Sequence, residues 1–112
     1  MRVVEFLLME NEFIDKIKEK VLEGGYLISQ HALIESAKDM VDDEDIEEAI
    51  ANSMLLEDYP DDKRGHSCLI CGKMRDGRYL HVVVGMLKEN AVIITTYLPS
   101  PEKWETPMKR RK

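Results

Sequence analysis

Apolar residues recur at helical spacing as far as Asn52 and alternate beyond it, so this chain has to join a helical half to a sheet. From Glu10 to Glu23 the residues Phe13, Ile14, Ile17, Val21 and Leu22 form one helical stripe, and Gly24-Gly25 stops it, because glycine accepts the left-handed backbone of a helix end. Tyr26-Leu27-Ile28 is a short extended candidate. Ser29 caps a second helix carrying Ala32, Leu33 and Ala37, which breaks at Met40-Val41. Asp42 caps a third helix. Its first turn, Asp43-Glu44-Asp45, is acidic where the helix dipole favours negative charge, and it buries Ile46, Ala49 and Ile50.

Past Asn52, Met54 to Tyr59 reads as extended and stops at Pro60, and Asp61-Asp62-Lys63-Arg64-Gly65 is a loop by composition. Three alternating strands follow, Ser67 to Met74, Tyr79 to Met86 and Ala91 to Leu98. Asp76-Gly77 signals a two-residue hairpin and Lys88-Glu89-Asn90 a three-residue one. The spacing predicts an α+β fold, with N-terminal helices packed on one face of a three- to four-stranded antiparallel sheet. At 112 residues the chain supports one core. Residues 1–104 read as a single domain (1–25 a helical extension, 26–104 its core), and 105–112 as a basic, disordered tail.

These turns set a register. Arg75 opposite Arg78 places Gly72 opposite His81, and Leu87 opposite Ala91 places His81 opposite Tyr97. One face then holds Leu69, Leu80, Val82, Val84, Met86, Val92, Ile94 and Leu98, the seat for the helices. The other, more polar face holds Cys68, Gly72, Tyr79, His81, Val83, Gly85, Thr95 and Tyr97.

Composition excludes several classes. The chain is 44% hydrophobic and 34% charged, a globular balance. No apolar run reaches the roughly 18 residues of a membrane helix. The apolar opening Met1 to Leu8 lacks a small-residue cleavage site and is not read as a signal peptide. With two cysteines, a cytoplasmic location is expected. The net charge of −6 divides into 7 basic and 18 acidic residues up to His66, against 9 basic and 4 acidic after it. The first part is an acidic helical surface and the second is basic, in large part through its tail. There is no glycine-rich phosphate loop, nucleophile elbow or zinc-finger spacing, so no cofactor is expected. His31, His66 and His81 lack the spacing of metal ligands. Cys68-Leu69-Ile70-Cys71 lies on a strand, where residues three apart face opposite ways, so two buried free thiols are expected instead of a redox pair.

His81 beside Tyr97 is the constellation with chemical content. An imidazole exchanges protons near pH 7, and a phenol donates to a phosphate or leaving group. The competing reading is a cross-strand pair that simply packs. His31 sits in the first turn of the second helix, one turn from Glu35. Arg64, Lys63, Lys73, Arg75 and Arg78 are candidates for phosphate contacts. Trp104 is read as an anchor for the tail in preference to a base-stacking platform.

Ser29-Gln30-His31-Ala32-Leu33, Val41-Asp42-Asp43-Glu44-Asp45-Ile46 and Leu56-Glu57-Asp58-Tyr59-Pro60-Asp61-Asp62 together resemble a prokaryotic domain family of unknown function. So do Leu80-His81-Val82-Val83-Val84, Ile93-Ile94-Thr95-Thr96-Tyr97 and Pro101-Glu102-Lys103-Trp104, so that the resemblance covers about Tyr26 to Trp104. Members look like distant relatives of the RelE, ParE and BrnT toxins. The resemblance implies a RelE-like, metal-independent endoribonuclease acting on mRNA or at the ribosome, neutralised by a small zinc-finger antitoxin. It implies His81, Tyr97, His31 and Arg64 as site residues. Members carry arginines along the second helix where this chain has Glu35 and Asp39, which weakens the expected grip on RNA. A gyrase-directed role, as in ParE-like toxins, is a further expectation left open by sequence. The reading from a different class is a non-catalytic interaction module, or a homodimer formed through an open sheet edge or the polar face.

Overall fold

The computed structural model describes residues 3–111, with side chains from residue 12. Along the chain run α1 (Val3–Leu22), β1 (Tyr26–Ile28), α2 (Gln30–Lys38), α3 (Asp43–Ala51), β2 (Met54–Tyr59), β3 (Ser67–Lys73), β4 (Tyr79–Leu87), β5 (Asn90–Tyr97), β6 (Trp104–Thr106) and β7 (Lys109–Arg110). The main sheet has the order β1-β5-β4-β3-β2, and β6 and β7 form a separate hairpin. The fold is α+β with the helices on one face, but the sheet is five-stranded and mixed, because β1 pairs parallel with β5. The expected three- to four-stranded antiparallel sheet is corrected accordingly. From Trp104 to Arg110, reaching into the segment 105–112 that was expected to be a basic, disordered tail, the chain forms the β6–β7 hairpin.

Helix ends follow from local chemistry. Gly24 takes a φ of +79°, and the amides of Gly24 and Gly25 bond the carbonyls of Val21 and Lys20, which closes α1. Ser29 Oγ accepts from the Ala32 amide at 3.0 Å. Asp42 and Asp45 form a reciprocal capping box at the start of α3. Ile14, Ile17 and Val21 of α1, Ala32 of α2, and Ile46, Ala49 and Ile50 of α3 pack against Cys68, Ile70, Leu80, Val82, Val84, Ala91 and Ile93. On α2 the buried positions are Ala32 and Ser36, and Leu33 is exposed.

Each hairpin departs from the expected register by one residue. The β3–β4 turn is longer, so Cys71 and not Gly72 faces His81. Cys68 and Gly72 therefore turn to the helices, and Leu69 turns to the outer face. The β4–β5 turn is shorter, with Leu87 opposite Asn90 and Lys88 at a φ of +56°. A bulge at Val83/Val84 then restores the spacing, and His81 does pair with Tyr97. Val92, opposite Gly85, moves to the outer face.

Two of the arginines that were candidates for phosphate contacts fasten the fold. Arg75 donates to Asp45 at 3.0 Å, Glu44 at 2.7 Å and Asp42 at 3.0 Å, tying the β3–β4 turn to the capped end of α3. Arg78 bonds Asp76 at 2.7 Å and the carbonyl of Asp39, where α2 ends, at 2.9 Å. Placing a cation against last-turn carbonyls satisfies groups the helix itself leaves open.

Candidate functional site on the outer face of the sheet

Alternation on β4 turns His81 away from the helices, between Cys71 and Tyr97 on the neighbouring strands. The β6–β7 hairpin closes over it, and the imidazole is 0% exposed. Trp104 meets the imidazole edge-on, with ring centroids 4.4 Å apart and planes at 86°. The Pro107 carbonyl lies 2.6 Å from Nε2. A carbonyl can only accept, so Nε2 carries the hydrogen and Nδ1 is left to accept from the Tyr97 hydroxyl at 3.2 Å. Burial pushes the imidazole below its ordinary value of 6.5, and the Arg110 charge lowers it further. The Pro107 carbonyl and Glu57 act against that shift. His81 is neutral at pH 7. Burial also raises the Tyr97 phenol, which stays protonated.

A second pair lies beside the first. Glu57 on β2 accepts from the Tyr59 hydroxyl, and from Nε and Nη2 of Arg110 at 3.1 and 3.2 Å. The Tyr59 bond, reinforced by Arg110, holds the Glu57 carboxyl below the usual range. The Arg110 guanidinium lies 4.6 Å over the Trp104 ring. Trp104 thus touches both pairs and anchors the hairpin. Between the end of β5 and the hairpin is a cleft of about 460 Å³ lined by Tyr97, Leu98, Ser100, Lys103, Trp104 and Arg110.

Two of the four sequence-predicted site residues do not join this cluster. His31 is exposed on α2. That helix is fastened by a 2.7 Å bond between Ser36 Oγ and Thr96 Oγ1 on the helix-bearing side, so the sheet separates His31 from His81. Arg64 folds back on Asp62 through Nε and Nη2, at 3.1 and 3.0 Å. It lies near Gly85, four strand residues or about 13 Å along β4 from His81. Glu57, Tyr59 and Arg110 were missed. Glu57 and Tyr59 sit two apart on one strand and so share a face, which alternation could have shown. Nothing in the sequence brings Arg110 to them without the hairpin. Cys68 and Cys71 are free and buried, and desolvation pushes their thiols up to about 12 and about 11, so neither is a ready nucleophile.

Burial of a neutral imidazole has a consequence for stability. A depressed folded-state value means that the unfolded chain binds the extra proton first. The contribution of His81 is complete above pH 6.5 and is lost progressively as pH falls from there through the depressed folded-state value. The urea midpoint is expected to fall between pH 7.5 and 5.5. A midpoint flat across that window contradicts the enclosure of His81.

Among the described residues, no helix is long and apolar enough to cross a membrane. Residues 28–98 match the model of a family described as a domain of unknown function, DUF4258. No curated protein and no solved structure matches the chain.

Proposed function

The chain belongs to the DUF4258 family, whose matched segment ends just past β5, and we propose that it is an RNA-directed, toxin-type domain that cleaves single-stranded RNA on the outer face of its sheet. One observation carries this reading: a neutral imidazole with a phenol on its Nδ1 stands beside a carboxylate–guanidinium pair on the face that the helices leave free. Cleavage of an RNA backbone without a metal needs a proton acceptor for the 2′-hydroxyl and a cation for the phosphate.

His81 is enclosed, so it acts through Tyr97. The 2′-hydroxyl passes its proton to the Tyr97 oxygen as Tyr97 hands its own proton to His81 Nδ1. The 2′-oxygen attacks phosphorus and the bond to the 5′-oxygen breaks. The departing oxygen takes a proton as the relay runs back, leaving a 2′,3′-cyclic phosphate and a 5′-hydroxyl. The imidazolium formed in between is favoured by the Pro107 carbonyl and by Glu57, the two influences that raise its affinity for a proton. Arg110, oriented by Glu57 and Trp104, supplies the positive charge. Tyr97 is the catalytic residue in this scheme and His81 its buried base, while His31 and Arg64 have no part in it. A RelE-like ancestry and a neutralising zinc-finger antitoxin belong to the same reading.

A second reading has its own observation. Arg64, Arg75, Arg78 and Arg110 are all bound to carboxylates of the chain itself, which suits a non-catalytic partner-binding module. Its version as a homodimer uses the free edge of β1, where Leu27 is exposed. Light scattering tests that version: a strict monomer removes the homodimer and leaves binding to a different chain.

Expression of the chain alone in bacteria tests the toxin reading. We expect growth arrest with cut cellular RNA, relieved by His81→Ala. Folded, unmodified protein that neither slows growth nor cuts RNA overturns it.

A further inference from the structure

We propose that the cleft between the end of β5 and the C-terminal hairpin is a nucleotide subsite, taking a phosphate together with the flat base it carries. Both charged residues that line it, Lys103 and Arg110, are basic, in a chain whose net charge is −6. The charge on its lining is therefore positive in a chain that is acidic overall, which favours an anion. Arg110 is already oriented, held by Glu57 on one side and by the Trp104 ring beneath it. Little ordering remains to be done when a phosphate arrives, which favours binding. Ser100 Oγ accepts from the Glu102 amide at 3.2 Å and keeps its own hydroxyl hydrogen to donate.

The rest of the lining is suited to a ring. Tyr97 and Leu98 are half-buried and present apolar surface, and the nearly buried Trp104 also lines the cleft. A cavity of about 460 Å³ falls in the range that encloses small ligands, roughly 300–1,000 Å³. A bare phosphate would leave that apolar surface unused, and a neutral nucleoside would leave the two cations unused. Each half alone should bind more weakly than the whole.

The inference rests on the RNA-directed reading in one respect, namely that Tyr97 borders both the cleft and the imidazole. Its residues Lys103, Trp104 and Arg110 all lie beyond the family segment, so this subsite is carried by the C-terminal hairpin and not by the shared domain.

Trp104 is the only tryptophan in the chain, and its fluorescence reports on the cleft directly. Titration of the full chain with adenosine 3′-monophosphate is expected to give a saturable change. Adenosine and inorganic phosphate should each bind at least about tenfold more weakly. Lys103 is exposed, so Lys103→Glu should fold normally and weaken the nucleotide by about tenfold or more. The proposal is overturned by no saturable change up to millimolar nucleotide, by equal affinity in Lys103→Glu, or by inorganic phosphate binding as tightly as the nucleotide. The two ideas fail separately. Nucleotide binding without RNA cleavage sinks the cleavage reading and leaves the subsite standing, whereas cleavage without a Lys103-dependent titration sinks the subsite alone.

Discussion

Gly72→Ala is expected to destabilise the domain by about 3 kcal/mol or more, or to prevent folding altogether, because overpacking against backbone has no inexpensive relief. A Cβ on Gly72 would stand 1.7 Å from the Ala49 carbonyl oxygen and 2.5 Å from its carbon. No rotamer change moves a main-chain carbonyl, so α3 would have to withdraw from the sheet. It is held from both ends. Arg75 grips Asp42, Glu44 and Asp45 at its start, and Asn52 at its end exchanges bonds of 2.9 and 2.8 Å with the main chain of Lys73. Urea denaturation gives the number. Gly77→Ala is the useful comparison, since a Cβ there meets nothing within 4 Å and only the positive φ opposes it. A Gly72→Ala protein within about 0.5 kcal/mol of the unmodified chain would mean that α3 is not seated here.

Tyr97→Phe is expected to lower the RNA-cleavage kcat by about 10²- to 10⁴-fold, the usual worth of a positioned proton-transfer group. Phenylalanine keeps the ring against its neighbours and removes only the hydroxyl bonded to the enclosed imidazole. KM should change little, since no phosphate cation is touched. Stability should fall by about 1–3 kcal/mol, because Nδ1 of His81 loses its donor in a buried place. The split between a large kcat effect and a small KM effect separates a relay from a packing role. If Tyr97→Phe cuts RNA at the unmodified rate, the pair only packs.

Where local chemistry decides the structure, the sequence was legible. The caps at Ser29 and Asp42, the glycine stop at Gly24 and the inward face of α3 follow from residues a few positions apart. Strand β1 was not legible as part of the sheet, because three residues carry no period and their parallel partner lies at the far end of the chain. The sheet faces were misassigned wherever the hairpin turns differed by one residue in length, yet the His81–Tyr97 pairing came out right. The short β4–β5 turn and the bulge at Val83/Val84 offset one another. Gly72 illustrates the cost of such a slip: it was placed on the polar outer face, whereas it faces α3 and its missing side chain makes room for helix backbone. The site itself was half visible. Alternation brings His81 to Tyr97, while Arg110 and the Pro107 carbonyl reach the cluster only through a hairpin that composition marks as a charged tail.

The most direct measurement is the chemistry of the ends produced when the purified chain meets single-stranded RNA with a metal chelator present. A relay through Tyr97 into His81 predicts 2′,3′-cyclic phosphate and 5′-hydroxyl ends, formed at a rate that drops as the imidazole protonates below pH 6.5. Intact RNA, or ends carrying a 3′-hydroxyl and a 5′-phosphate, would contradict it.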